Sequence, residues 1–173
     1  KEMIDWHSHI LPQMDDGSQS VSESLCILNE LKNQTVETVV ATPHFIANNE
    51  SVSEFIHRRQ NSFDLLAEQI PDGIPNILLG AEVKYYSGIS RLKGLEFLKI
   101  QGTDLLLLEM PMSRWTEYTV RELVELVTSK RTEVVLAHIE RYLSLQNNDI
   151  LQKLYESGIL MQVNGSFFTG ITT

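Results

Sequence analysis

Apolar residues fall in short, near-continuous runs, separated by longer stretches in which they recur at helical spacing. The runs include V-E-T-V-V-A-T from Val36, N-I-L-L-G-A-E-V from Asn76, D-L-L-L-L-E-M from Asp104 and E-V-V-L-A-H from Glu133. Strands buried on both faces read this way, which predicts a parallel sheet covered by helices. The pattern predicts strands over Met3–His7, Val36–Thr42, Asn76–Val83, Asp104–Glu109, Thr132–His138 and Ile159–Asn164. Between them Ser20 with Glu23, and Ser51 with Glu54, are capping-box starts for two helices. The second helix is expected to reach about Ile70, with Phe55, Ile56, Phe63, Leu66 and Ile70 inward. A short helix is expected over Ile89–Leu98 and a longer one over Glu117–Ser129, burying Val120, Leu123, Val124 and Val127. The last starts at Asn147 or Asn148 and stops at Gly158. The alternation is β-α repeated, which fits either an open doubly wound sheet or a barrel.

At 173 residues the chain has the length of one domain with a sizeable core. Its net charge of -9 and lack of a basic stripe argue against nucleic-acid binding. The densest basic spot, His57-Arg58-Arg59, reads as a solvated helix face. The single cysteine, Cys26, excludes an internal disulfide framework and reads as a small core residue of the first helix. No apolar run approaches the roughly 20 residues of a membrane span, and no signal-peptide pattern is present. A cytoplasmic protein without membrane insertion is expected.

The predicted strands share one chemical feature. The first ends in His7 and runs on to His9; Thr42-Pro43-His44 follows the second. The third carries Glu82, the fourth ends at Glu109, the fifth ends at His138 and the sixth ends at Asn164. Four of the five histidines fall at these positions; only His57 sits inside a helix. Residues i and i+2 of a strand share a face, so His7 and His9 project together. Asp15 and Asp16 follow on a loop that Gly17 lets turn back. Imidazoles and carboxylates without thiolate suit Mn²⁺, Zn²⁺ or Fe²⁺. There are too many of them for one tetrahedral ion, so more than one metal is implied. Such a cluster suggests hydrolysis, and Arg141, three residues past His138, is placed to clamp a phosphate.

The motifs M-I-D-W-H-S-H-I-L-P-Q-M-D-D-G-S, A-T-P-H, L-G-A-E-V, L-L-L-E-M, L-A-H-I-E-R-Y and Q-V-N-G-S resemble a bacterial family. It is the metal-dependent protein-tyrosine phosphatases of capsule and exopolysaccharide synthesis, in the polymerase-and-histidinol-phosphatase (PHP) superfamily. The resemblance implies a distorted (β/α)₇ TIM-like barrel with two or three divalent ions, Mn²⁺ foremost and Fe²⁺ or Zn²⁺ as alternatives. It implies His7, His9, Asp16, His44, Glu82, Glu109 and His138 as ligands, Asp16 rather than Asp15 matching the family aspartate. Asp16, His44 and Arg141 are implied as the catalytic set, with Arg141 touching the phosphate. The implied substrate is the phosphotyrosine tail of a bacterial tyrosine kinase that regulates polysaccharide export.

The family pattern closes with a late Asp-x-His pair that these residues lack. The expectation is therefore a single PHP-type domain over 1–173, truncated at its C-terminus to about six β/α units. Two other functions stay open: another PHP phosphoesterase, acting on histidinol phosphate or a nucleic-acid phosphodiester, and a non-catalytic phosphotyrosine-binding fragment. A cysteine-phosphoenzyme route is disfavoured, because Cys26 has no arginine six residues on to cradle a phosphate.

Overall fold

The computed structural model describes residues 2–169. It is a mixed α/β structure with parallel strands, and its chain forms two compact units. The single-domain range 1–173 extends beyond the described residues at both ends. No helix among the described residues is long and apolar enough to cross a membrane.

The first unit comprises residues up to Glu82 together with Gly94–Thr103. In chain order it holds β1 (Met3–Ser8), α1 (Val21–Asn33), β2 (Val36–Ala41), the two-residue β3 (His44–Phe45), α2 (Val52–Ala67) and β4 (Asn76–Leu79). Strands β1, β2 and β4 pair in that order and are all parallel. The pairs Ser8 with Ala41, and Ala41 with Leu79, bring the three carboxyl ends to one edge. The core is made of Leu28, Val39, Val40, Ala41, Phe45, Phe55 and Leu66, each 0–1% exposed. Full burial of a Leu or Phe of this kind contributes about 1.5–3 kcal/mol.

Both predicted N-caps of this unit are used. Ser51 Oγ accepts from Glu54 N, and Glu54 Oε2 accepts from Ser51 N, a reciprocal box. At α1, Ser20 Oγ accepts from Glu23 N, but Glu23 Oε2 takes the amide of Gln19 instead of the cap's own. Helix α2 ends at Ala67, short of Ile70, because the chain tightens into i→i+3 bonds: Gln69 N to Leu66 O and Ile70 N to Ala67 O.

Three expectations are corrected here. The run from Asn76 to Val83 is two strands, because Gly80 N donates to Ala41 O and Glu82 N to Pro43 O, so the chain steps onto a new partner. Cys26 is exposed; the buried residues of α1 are Ser24 and Leu28, four apart, and position 26 falls on another face. The basic spot is not uniformly solvated. His57 is exposed, but Arg59 is only 8% exposed, and its guanidinium donates to Gly80 O at 2.6 Å and Phe97 O at 3.3 Å. Arg58 pairs with Glu50 at 2.6 Å and donates to Met14 O at 2.7 Å.

The second unit comprises Val83–Lys93 and the chain from Asp104 onward. Strand β5 (Glu82–Lys84) carries the chain from one unit into the other. It is followed by β6 (Leu105–Glu109), α3 (Glu117–Lys130), β7 (Glu133–Leu136), α4 (Asn148–Glu156), β8 (Leu160–Met161) and α5 (Gly165–Thr169). The strands lie in the order β5-β6-β7-β8, with β6, β7 and β8 parallel. On α3, Val120, Leu123 and Leu126 are buried, while Val124 and Val127 are only half-buried. Helix α4 starts from the Asn147 cap and ends where Gly158, at φ 79°, lets Ile159 N return to Leu154 O.

Two further expectations change. The helix over Ile89–Leu98 is two separate 3-10 turns, Ile89–Arg91 and Leu95–Leu98, because Gly94 at φ 82° interrupts the right-handed path. The sixth strand is only Leu160–Met161. Gln162 still donates its amide to Leu136 O, but by Asn164 the chain turns into α5, with Phe167 N bonded to Asn164 O.

Candidate metal centre

The edge where β1, β2 and β4 end carries the chemistry of the first unit. His7 lies on β1 and His9 just beyond it. His44 follows β2 by three residues, and Glu82 follows β4 by three. His7 and His9 do project together, with their Nε2 atoms 3.3 Å apart. Glu82 Oε2 is 3.2 Å from His7 Nε2, 3.2 Å from His9 Nε2 and 3.2 Å from His44 Nδ1. Three imidazoles from two segments of the chain thus converge on one carboxylate oxygen whose side chain is 1% exposed.

These separations fit a coordination shell. At a metal–nitrogen length of about 2.1 Å, neighbouring ligand atoms stand about 3.0 Å apart in an octahedron and about 3.4 Å apart in a tetrahedron. The triangle of His7 Nε2, His9 Nε2 and Glu82 Oε2, with edges of 3.2–3.3 Å, matches one face of such a polyhedron. Burying an ionised carboxylate is costly unless positive charge accompanies it. A divalent cation held by neutral imidazoles would supply that charge. A second grouping with metal-binding spacing is His9, Asp15, Asp16 and His44.

The two aspartates of the loop differ sharply. The Asp15 side chain is 8% exposed, and its Oδ2 lies 2.6 Å from His9 Nδ1. Asp16 is 86% exposed and 3.7 Å from His44 Nε2. Gly17 is where the loop folds onto His9. A Cβ there would collide with the Cβ and carbonyl oxygen of His9, and Ser18 N donates to His9 O at 3.0 Å. Burial opposes protonation of His9, but hydrogen bonds to Asp15 and Glu82 outweigh it and raise its pKa to about 10 without metal. Burial also pushes Asp15 up, yet the bonds from His9 and from the amides of His44 and Gly17 prevail, lowering it to about 2.

The second unit holds its own candidates at its strand ends. Glu109 closes β6, and His138 follows β7 with its Nε2 3.9 Å from Glu109 Oε1. His138 is 3% exposed and held at φ 36°, an unusual conformation for a residue with a Cβ. Gln162 Oε1 accepts from its backbone amide at 2.6 Å, and Tyr142 Oη lies 3.3 Å from its Nδ1. Arg141 is exposed at the end of the 3-10 turn Ile139–Arg141 and is tied to His138 through Arg141 N to His138 O, 3.0 Å. The sequence singled out Asp15 on the loop, but not as a support for His9, and it gave no sign of Gln162 and Tyr142 as supports for His138. The Asp-x-Gly spacing of an Asx-turn, seen here as Gly17 N to Asp15 Oδ1 at 3.0 Å, was the available signal for Asp15.

Comparison with known proteins agrees with this chemistry. Residues 3–172 match the family described as "Capsular polysaccharide synthesis, CpsB/CapC". The chain is 31% identical to the putative tyrosine-protein phosphatase CapC of Staphylococcus aureus, over 97% of this chain and 66% of the relative. It is 30% identical to the tyrosine-protein phosphatase YwqE of Bacillus subtilis (98% and 67%) and 32% identical to the tyrosine-protein phosphatase CpsB of Streptococcus pneumoniae (94% and 67%). The chain therefore spans about two thirds of the length of these curated relatives. A solved chain from the crystal structures of YwqE from Bacillus subtilis and CpsB from Streptococcus pneumoniae, "unique metal-dependent tyrosine phosphatases", superposes with a TM-score of 0.76 at 28% identity. It covers 97% of this chain and 68% of that one. With histidines and glutamates at successive strand ends and a family match over nearly every residue, the chain belongs to the CpsB/CapC family of capsular polysaccharide synthesis.

Proposed function

We propose that this chain is the metal-binding part of a protein-tyrosine phosphatase, hydrolysing phosphotyrosine on the tail of a bacterial tyrosine kinase that regulates capsule or exopolysaccharide synthesis. The observation that carries the reading is the convergence of His7, His9 and His44 on the buried Glu82. The proposed ligands are His7, His9, Asp16, His44, Glu82, Glu109 and His138, for two or three ions, Mn²⁺ foremost and Fe²⁺ or Zn²⁺ as alternatives. The fold is proposed as one PHP-type domain, a distorted (β/α)₇ barrel represented here by about six of its units. A cytoplasmic location fits a substrate on a kinase tail.

When bound, the ions would lower the pKa of a water and stabilise charge on the phosphoryl oxygens. The chain's own residues do the rest. His7, His9 and His44 would supply imidazole nitrogens to the ions, and Glu82 would balance charge from within the protein. Arg141 is exposed, as a residue that meets a macromolecular substrate must be, and its planar guanidinium matches two phosphate oxygens. Asp16 and His44 complete the proposed catalytic set. The leaving phenol has a pKa of about 10, so a strong general acid is not required.

The test is turnover by metal-stripped protein given Mn²⁺, with phosphotyrosine peptide, histidinol phosphate and a dinucleotide as alternative substrates. Preferential release of phosphate from the peptide is expected. Preference for histidinol phosphate or the dinucleotide would move the chain to another branch of the superfamily. Metal-dependent peptide binding without turnover would make it a docking module.

A further inference from the structure

Asp15 stands beside the proposed ligands, and its surroundings suit it to a different task. We propose that Asp15 binds no metal and is instead a positioning residue, which fixes the ring of His9 and the backbone of His44 so that both imidazoles face the cation. This deepens the metal-centre reading above and rests on it.

Both carboxylate oxygens of Asp15 are engaged by the protein. Oδ2 accepts from His9 Nδ1 at 2.6 Å and from the amide of His44 at 2.8 Å; Oδ1 accepts from the amide of Gly17 at 3.0 Å. The side chain is 8% exposed, so little of it is open to a further partner. An ionised carboxylate only accepts hydrogen bonds. The proton between Asp15 and His9 therefore sits on Nδ1, which leaves the Nε2 lone pair for a cation. That Nε2 is the atom 3.2 Å from Glu82 Oε2 and 3.3 Å from His7 Nε2. A carboxylate behind a ligating histidine sets its tautomer, aims its ring and increases its basicity as a donor. The same oxygen grips the first residue of β3, so a single side chain joins the loop after β1 to the segment after β2. Asp16, with its side chain 86% exposed, is the aspartate of the pair left open to an ion.

The experiment uses Zn²⁺ as a diamagnetic probe. In ¹⁵N-labelled, Zn²⁺-loaded protein, His9 should show a ring proton bonded to Nδ1 and slow to exchange, with Nε2 shifted by the metal. Competition with a chelating dye then gives Zn²⁺ affinity for wild type, Asp15→Ala and Asp15→Asn. Asp15→Ala is expected to lose the protected Nδ1 proton and about 10–100-fold in affinity. Asp15→Asn keeps an acceptor oxygen for His9, turns an amide group toward Gly17 N, and should lose less. A purely structural aspartate would lower the unfolding temperature while leaving tautomer and affinity unchanged, and that result would overturn the proposal. So would ligation of His9 through Nδ1. If Asp15→Ala does not fold, the wild-type spectrum and the Asn variant still decide. A wild-type protein that binds no Zn²⁺ fails in a different way: it removes the metal centre itself, and the positioning role falls with it.

Discussion

Gly17→Ala adds one methyl group at the closest approach in the candidate site. The glycine backbone is not in the left-handed region, so the constraint is contact and not conformation. The new Cβ would overlap the Cβ and carbonyl oxygen of His9 and come within 3.1 Å of Asp15 Oδ1. The loop must then move away, giving up Ser18 N to His9 O and Gly17 N to Asp15 Oδ1, both 3.0 Å. Overpacking of this kind costs about 1–3 kcal/mol and each lost hydrogen bond about 0.5–1.5 kcal/mol, which together give about 2–6 kcal/mol. That is a large share of the roughly 5–15 kcal/mol that holds a domain folded. Urea unfolding of the metal-stripped protein measures it. Gly165→Ala is the control: nothing lies within 4 Å of its would-be Cβ, and a change of at most about 1 kcal/mol, in the stabilising direction, is expected. Equal stabilities for the two variants, with His9 undisturbed, would refute the reasoning about how the loop is held.

Other outcomes follow from the same geometry. The raised pKa of His9 means its contribution to the metal-free fold is full below pH 6.5 and lost as pH rises through about 10. The lowered pKa of Asp15 means its contribution is full above pH 3.8 and lost as pH falls through about 2. Thermal unfolding of the stripped protein should therefore show this pair's stabilisation at its greatest between about pH 4 and 6.5. Metal affinity should instead rise with pH across the neutral range, because the cation displaces a proton from His9. Arg59→Met leaves the carbonyl of Gly80 without its donor and should destabilise by about 1–3 kcal/mol in chemical denaturation. His138→Ala should lose both metal and phosphatase activity, whereas His57→Ala, on an exposed face of α2, should change neither.

Strand ends were legible because their signal is local. An apolar run such as L-L-L-L-E identifies a buried strand, and a polar residue at its close is conspicuous. The capping box of Ser51 and Glu54 was legible for the same reason. What escaped depends on three-dimensional phase. On α2 the buried stripe is Val52, Phe55, Arg59, Ser62 and Leu66, spaced three, four, three and four. Arg59 and Ser62 occupy it because backbone carbonyls meet them there: Gly80 O for Arg59 and Pro12 O for Ser62. An apolar scan therefore rotates the stripe toward Ile56 and Phe63. Cys26 was misplaced for a similar reason, since Ser24 takes the core position through its bond to Ser18 Oγ at 2.8 Å. The break at Gly80 was hidden because both halves of the run are apolar, and only the step of hydrogen bonds from Ala41 to Pro43 reveals it. The different roles of Asp15 and Asp16 depend on which way adjacent side chains turn, which spacing alone does not encode.

Everything proposed for this chain depends on imidazoles and carboxylates sharing cations. The most direct measurement is anomalous scattering from crystals grown with Mn²⁺, alongside elemental analysis of the dissolved protein. The account predicts a peak about 2.0–2.3 Å from His7 Nε2, His9 Nε2 and Glu82 Oε2. Crystals with no peak there, from protein that retains no metal in solution, would contradict it.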